Sequence, residues 1–228
     1  NTDGGPVFLY VNQHGERIER VTEGDVAALA GHFQGVAWTD YDNDGWLDLL
    51  VTSDEGANPL LRNTGAGQLQ RVDGGDLTAD INASTQACWA DVDLDGWLDV
   101  YVVNRDAQPD RLYRNLGGET FERMAGPWQS IANNGRSCAI ADVDGNGRPD
   151  IYVANASRLV GGETRSAENS LYLNFSDGFT AHLRGEPVNV RGYSYAASFV
   201  DWDNDGDEDL LVTDIGRFER NYLYENLG

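Results

Sequence analysis

The chain is 228 residues long and carries 38 Asp and Glu against 16 basic residues, a formal net charge of −22 at pH 7. All the basic residues are Arg. So acidic a chain is repelled by nucleic acid and by anionic membrane surfaces, and no apolar run approaches the ~20 residues of a membrane-spanning helix.

The first predicted element is an extended pair of strands in FLYVNQHGERIERV (8–21). The chain opens on Asn1 rather than Met, and we read it as a processed or excised segment. From residue 31 onward one unit recurs. Its first copy has a strand, VAWT, then DYDNDGWLD beginning at Asp40, then a strand, LLVT, and then LLRNTGAGQLQRV (60–72). The second copy runs CWA, DVDLDGWLD from Asp91, VYVV and RLYRNLGGETFERM (111–124). The third runs AIA, DVDGNGRPD from Asp142, IYVA and SLYLNFSDGFTAHL (170–183). The fourth runs SFV, DWDNDGDED from Asp201, LLVT and NYLYENLG (221–228). The acidic phrases are thus spaced by 51, 51 and 59 residues. A period of this size, with four short strands per unit rich in Val, Leu, Tyr and Trp, describes a blade of a β-propeller. The expected organisation is a single all-β region: the end of a preceding blade in 1–30, blades in 31–81, 82–132 and 133–190, and an incomplete last blade in 191–228. That gives four to four and a half blades of a larger propeller. A smaller ring, closed by the strand at Ile18–Val21 completing the blade that begins at Asp201, is the alternative.

The acidic phrase carries the chemistry. Oxygen ligands at alternate positions, a glycine where the backbone turns and a closing carboxylate describe a loop around a hard cation such as Ca²⁺. An EF-hand loop has Glu at position 12; here Val51, Val102, Val153 and Val212 stand there, so that form is excluded. The last carboxylate comes at position 9, and strands rather than helices flank the loop. Predicted ligands are the side chains at positions 1, 3, 5 and 9 with the carbonyl at position 7. They are Asp40, Asp42, Asp44, Asp48 and Trp46 in the first loop, and Asp91, Asp93, Asp95, Asp99 and Trp97 in the second. The third loop supplies Asp142, Asp144, Asn146, Asp150 and Arg148, with one charge fewer. The fourth supplies Asp201, Asp203, Asp205, Asp209 and Asp207. Four Ca²⁺ are therefore expected. Bare Asp-Gly turns also favour hairpins, but four repetitions of crowded carboxylates are costly without a cation.

The pairing of DxDxDGxxD with a downstream LYxNxGxxxFxxV resembles FG-GAP/VCBS repeats. The stretch 8–53 is most similar to bacterial members bearing an ASPIC/UnbV region and to the cartilage acidic proteins, and more distantly to the integrin α-chain propeller. The resemblance implies a β-propeller, commonly seven-bladed, with calcium between the first two strands of a blade. Sites of this kind suit millimolar calcium, so an extracellular, cell-surface or periplasmic location follows.

Arg105, Arg111, Arg158, Arg165, Arg217 and Arg220 fall in the connections on the face opposite the metal loops, and residues 155–169 carry most of the longer third period. That face is expected to meet an anionic or glycan-like partner, unless its arginines only balance Asp106, Asp110, Glu163, Glu168 and Glu219. Trp38, Trp89, Ile140 and Phe199 stand two residues before each loop as packing positions between blades. Trp46 and Trp97 are expected to pack on a neighbouring loop, with carbohydrate stacking as the alternative. Cys88 and Cys138 have the opposite strand parity an inter-blade disulfide needs; two buried thiols remain open. His14, His32 and His182 fall in non-equivalent places near no nucleophile, so the expected function is a binding, adhesion or scaffold module with extracellular protein or glycan partners and no membrane insertion. A filament or complex subunit, a lectin and a lyase-like enzyme are the alternatives.

Overall fold

The structure, a computed structural model, describes residues 4–131, 134–160, 163–165, 167–189, 191–215 and 220–228, with the backbone alone for 158–160, 163–165 and 191. Each repeat is one antiparallel sheet. The first unit pairs an inner strand Phe33–Thr39, a second strand Asp48–Ser53, a third Leu60–Asn63 and an outer Leu69–Val72, in that order. The second unit repeats this with Ser84–Ala90, Asp99–Asn104, Arg111–Asn115 and Phe121–Met124. In the third unit the strands are Asn134–Ala141, Asp150–Val160, Ser170–Phe175 and Gly178–His182, and the fourth has Ser194–Val200, Asp209–Asp214 and Tyr222–Tyr224.

The sheets stack face to face in chain order, giving the propeller-like arrangement. Second strands therefore read as unbroken apolar runs, because both of their faces are covered. Leu50 and Leu60 of the first unit meet Val100, Val102 and Tyr113 of the second. On the opposite face of the second unit, Tyr101, Val103 and Leu112 meet Ile151, Val153 and Tyr172 of the third, with Trp128 filling the gap. Tyr152 and Ala154 then meet Leu210 and Val212. The Trp128 ring stands edge-on to Tyr101, Tyr172 and Phe179, with centroids 5.4 to 5.8 Å away. The inner strands of the second and third units are joined by a Cys88–Cys138 disulfide across a Cα–Cα distance of 6.1 Å.

The N-terminal segment forms a separate two-stranded antiparallel hairpin. Tyr10–Gln13 pairs with Arg17–Arg20, and Leu9 and Val21 pack with Val26 and Leu29 over Leu49, Val51 and Leu61. The closure by Ile18–Val21 is not the observed pairing among the described residues: Arg17–Arg20 pairs only with Tyr10–Gln13, and the fourth unit is a separate three-stranded sheet. Two strands cannot cover a four-stranded face. Val36 and Trp38 on the first inner strand accordingly remain 60% and 46% exposed, whereas Trp89, Ile140 and Phe199 pack into inter-unit cores as expected.

Three details differ from the strand-and-loop expectation. The short helices Asp25–Ala28 and Asp76–Ala79 precede inner strands, and their Asp25 and Asp76 carboxylates accept the Arg71 and Arg123 backbone N–H groups at outer strands, so donors at a sheet edge are satisfied. The long third connection is a ribbon rather than a loop: the second strand continues to Val160 and pairs with Glu163–Arg165. Finally, every inner strand bulges at one equivalent place, where the pairing ladder skips Gln34, Thr85, Arg136 and Tyr195.

Candidate metal centres

The hairpins between inner and second strands are built identically four times. The first carboxylate folds the loop: Asp40 accepts the N–H groups of Asp44 and Gly45, each at 3.0 Å. Asp91, Asp142 and Asp201 repeat this with the residues at their positions 5 and 6. Position 6 must be glycine because its φ is +84° to +101° in the four loops. Position 4 is also left-handed, occupied by Asn43, Leu94, Gly145 and Asn204. Leu94 alone among these carries a side chain ill-suited to that region.

The ninth-position carboxylate is a latch. Asp48 accepts the Tyr41 N–H on one oxygen and the Asn63 N–H, at 2.7 Å, on the other. Asp99, Asp150 and Asp209 bind Val92 and Asn115, Val143 and Asn174, and Trp202 and Asn226 in the same way. All four are buried. Desolvation pushes Asp48, Asp99 and Asp150 up to about 6, against the lowering effect of their N–H donors. The asparagine that supplies the latch also donates its amide across the unit boundary. Asn115, Asn174 and Asn226 reach the carbonyls of Tyr41, Val92 and Val143 in the preceding unit's loop at 2.8, 2.8 and 3.0 Å.

Carboxylates at positions 1, 3 and 9 converge. In each of the sets Asp40/Asp42/Asp48, Asp91/Asp93/Asp99, Asp142/Asp144/Asp150 and Asp201/Asp203/Asp209, ligand oxygens lie within 4.8 Å of one another. A cluster of three like charges built only from hard oxygen donors fits a divalent cation such as Ca²⁺, and the buried Asp93 Oδ1 has no hydrogen-bond partner. The position-5 aspartates Asp44, Asp95 and Asp205 are not members of these sets of three. Asp44, Asp95, Asn146 and Asp205 each accept the N–H of position 7 on one oxygen, from Trp46, Trp97, Arg148 and Asp207.

Two loops also hold a cation of the protein's own. Arg62 sets Nε 2.5 Å from Asp42 and Nη2 2.9 Å from Asp44, and Arg114 sets Nη2 2.6 Å from Asp93 and 3.2 Å from Asp95. Both precede the latch asparagine. The equivalent residues in the third and fourth units are Leu173 and Glu225. The difference is visible in the sequence at the residue before the asparagine of each LYxN phrase, where Arg62, Arg114, Leu173 and Glu225 stand in register. The position-7 tryptophans lie over turn glycines: a Cβ on Gly65 would come 2.7 Å from the Trp46 indole nitrogen, and one on Gly118 2.8 Å from the Trp97 ring.

On the opposite face, Arg105 pairs with Asp54 and Asp106, and Arg111 donates to the carbonyls of Pro109 and Asp110. Arg220 is exposed. The side chains of Arg158, Arg165 and Glu163, and the whole of Arg217 and Glu219, lie outside the described residues. The three histidines do not converge. His32 is within 3.4 Å of Glu55, while His14 lies in the N-terminal hairpin turn and His182 ends an outer strand.

The family model of FG-GAP-like repeats matches residues 40–102 and 91–153, together half of the chain. Cartilage acidic protein 1 of Mus musculus is 25% identical over 174 residues, covering 70% of this chain and 26% of that protein. The chain therefore spans about a quarter of the length of this curated relative. Among solved structures, a Tc holotoxin pore of Photorhabdus luminescens is similar at 17% identity and a TM-score of 0.47, over 83% of this chain and 9% of that one.

Proposed function

The chain belongs to the FG-GAP-like repeat family, and from that membership we propose that it is a calcium-stabilised extracellular propeller module that binds or scaffolds partners and catalyses no reaction. The observation that carries this reading is the carboxylate triad at positions 1, 3 and 9, repeated in all four loops with the same backbone donors. A bound Ca²⁺ would supply the positive charge that these oxygens lack. Asp40, Asp42 and Asp48 would hold it in the first loop, their counterparts in the others, with the carbonyls of Trp46, Trp97, Arg148 and Asp207 as further donors. Four ions would take the formal charge from −22 to −14. Because the same loop residues are grasped by the next unit's asparagine, ordering a loop also fastens two sheets together. The extracellular location rests on the millimolar calcium that such sites suit and on the likeness to a cartilage protein. Among the described residues no helix is long and apolar enough to cross a membrane.

Calorimetric titration with Ca²⁺ tests the proposal. Four sites per chain are expected, falling to three in Asp93→Asn, with Mg²⁺ a poor substitute. Absence of calcium binding at millimolar concentration would overturn it. A second reading, a subunit that assembles with other copies, draws on the exposed apolar residues Val200, Leu211 and Leu223 of the fourth unit. Sedimentation as a concentration-independent monomer would discard it.

A further inference from the structure

The four bulges in the inner strands have a common destination. Each skipped residue stands six positions before its loop's first aspartate, toward the end of the inner strand remote from the metal. A bulge re-aims a side chain out of the ladder's alternation. Gln34, Thr85, Arg136 and Tyr195, one from each unit, thereby line a single cavity together with Gly35 and Gln86.

The chemistry of this cavity is set by Arg136. Its Nε is buried without a hydrogen-bond partner, and among the described residues the guanidinium has no ion pair. Its one described neighbour of note is the Tyr195 ring, whose centroid lies 5.8 Å from the guanidinium carbon. An unpaired guanidinium in a concave site selects a planar anion that can accept two parallel N–H bonds. Asp54, which Gln34 reaches through its Nε2, does not supply that anion, because it is engaged by Arg105.

The other groups point to a hydroxylated ring bearing the carboxylate. Gln34 spends its amide N–H on Asp54 and leaves its carbonyl oxygen to accept. Gln86 spends its oxygen on the Cys138 N–H and leaves its NH₂ to donate. The Tyr195 ring, 49% exposed, offers an apolar face of the kind that aliphatic C–H groups of a sugar cover.

We propose that this axial cavity binds a sugar acid, with Arg136 holding the carboxylate, Tyr195 stacking on the ring and the two glutamine amides reading hydroxyls. The proposal gives the binding module of the preceding section a site and rests on that reading. The ligand's net attraction is local, since the protein as a whole repels anions. For a ligand the size of a monosaccharide, a Kd of about 1 mM follows.

Calorimetry or saturation-transfer NMR on the calcium-saturated chain tests it, with glucuronate as probe and glucose and acetate as controls. Glucuronate is expected to bind at about 1 mM. Glucose, Arg136→Gln and Tyr195→Ala should each weaken binding by about tenfold or more, Arg136→Lys less than Arg136→Gln. A calcium-dependent melt kept by Arg136→Gln separates lost recognition from lost fold. Glucuronate failing to bind the parent chain, binding equally to Arg136→Gln, or binding no better than acetate would overturn the proposal. Those outcomes leave the calcium reading intact, whereas glucuronate binding by a chain indifferent to calcium would sink only the latter.

Discussion

Chelation should destabilise this protein steeply, and unequally among its units. At about 2 mM calcium and a site Kd of about 0.1 mM, each ion adds about 1.8 kcal/mol to the folded state. Four ions then add about 7 kcal/mol, or about 15–30 °C in Tm for a chain of this length. Part of that loss is cushioned where Arg62 and Arg114 already neutralise Asp42, Asp44, Asp93 and Asp95. Both guanidiniums are close to half exposed, so each is worth about 0.5–1 kcal/mol at most. The double variant Arg62→Gln/Arg114→Gln should therefore melt within about 2 °C of the parent in saturating calcium but several degrees lower in EDTA. Differential scanning calorimetry in calcium, in EDTA and in EDTA with Mg²⁺ measures the gap. Hydrogen exchange should find the third and fourth loops, with Leu173 and Glu225 in place of arginine, the more labile ones after chelation. A parent melt unchanged by EDTA, or a gap that narrows in the double variant, would refute the reasoning.

Three further outcomes follow from particular residues. Asp110 is buried, and desolvation raises it to about 7 despite donors from Asn104 and Tyr101. Its proton is held more tightly in the folded state, so its contribution is full below pH ~4 and lost as pH rises through 7, by up to about 4 kcal/mol. Asn58, Asn169 and Asn221 make the equivalent bond in the other units, so Asp110→Asn should remove this pH dependence; melts of both proteins at pH 5 and pH 8 in excess calcium would read it as their difference. Joining positions 50 residues apart, the Cys88–Cys138 bridge should be worth about 2–4 kcal/mol, visible as a lower urea midpoint after reduction and as a mass difference after alkylation with and without reductant. At Leu94, whose φ of +64° is met by Asn or Gly in the other loops, Leu94→Asn should raise stability by about 1 kcal/mol, and an unchanged midpoint would show that the strain is absorbed elsewhere.

The sheets and the loops were legible because both impose short-range patterns. Alternating carboxylates and Gly45, Gly96, Gly147 and Gly206 are dictated within nine residues, and the recurring period follows from one sheet per unit. The asparagine clamp was not legible in the same way. Its residue was visible in the LYxN phrase, but its partners are backbone carbonyls 74 to 83 positions earlier, and a carbonyl has no residue identity to read. The hydrogen bond from the position-7 N–H to one oxygen of the position-5 side chain was not legible either, because ligand spacing marks which residues carry oxygens and not which backbone donors those oxygens meet. Opposite parity identified Cys88 and Cys138 as able to meet; it said nothing of their oxidation. The bulges left no mark in sequence, since Gln, Thr, Arg and Tyr share no type. The register shift that brings them together exists only once the second strands are in place.

The clamp also orders events during synthesis. Tyr41's carbonyl is grasped by Asn115, which leaves the ribosome 74 residues later, and Val92's waits 82 residues for Asn174. A nascent first turn, even with its own aspartates complete, lacks its anchor until most of its successor has been translated. Maturation is therefore retrospective: each newly made sheet finishes the one before it, and a ribosome that stalls midway leaves its latest turn unfastened.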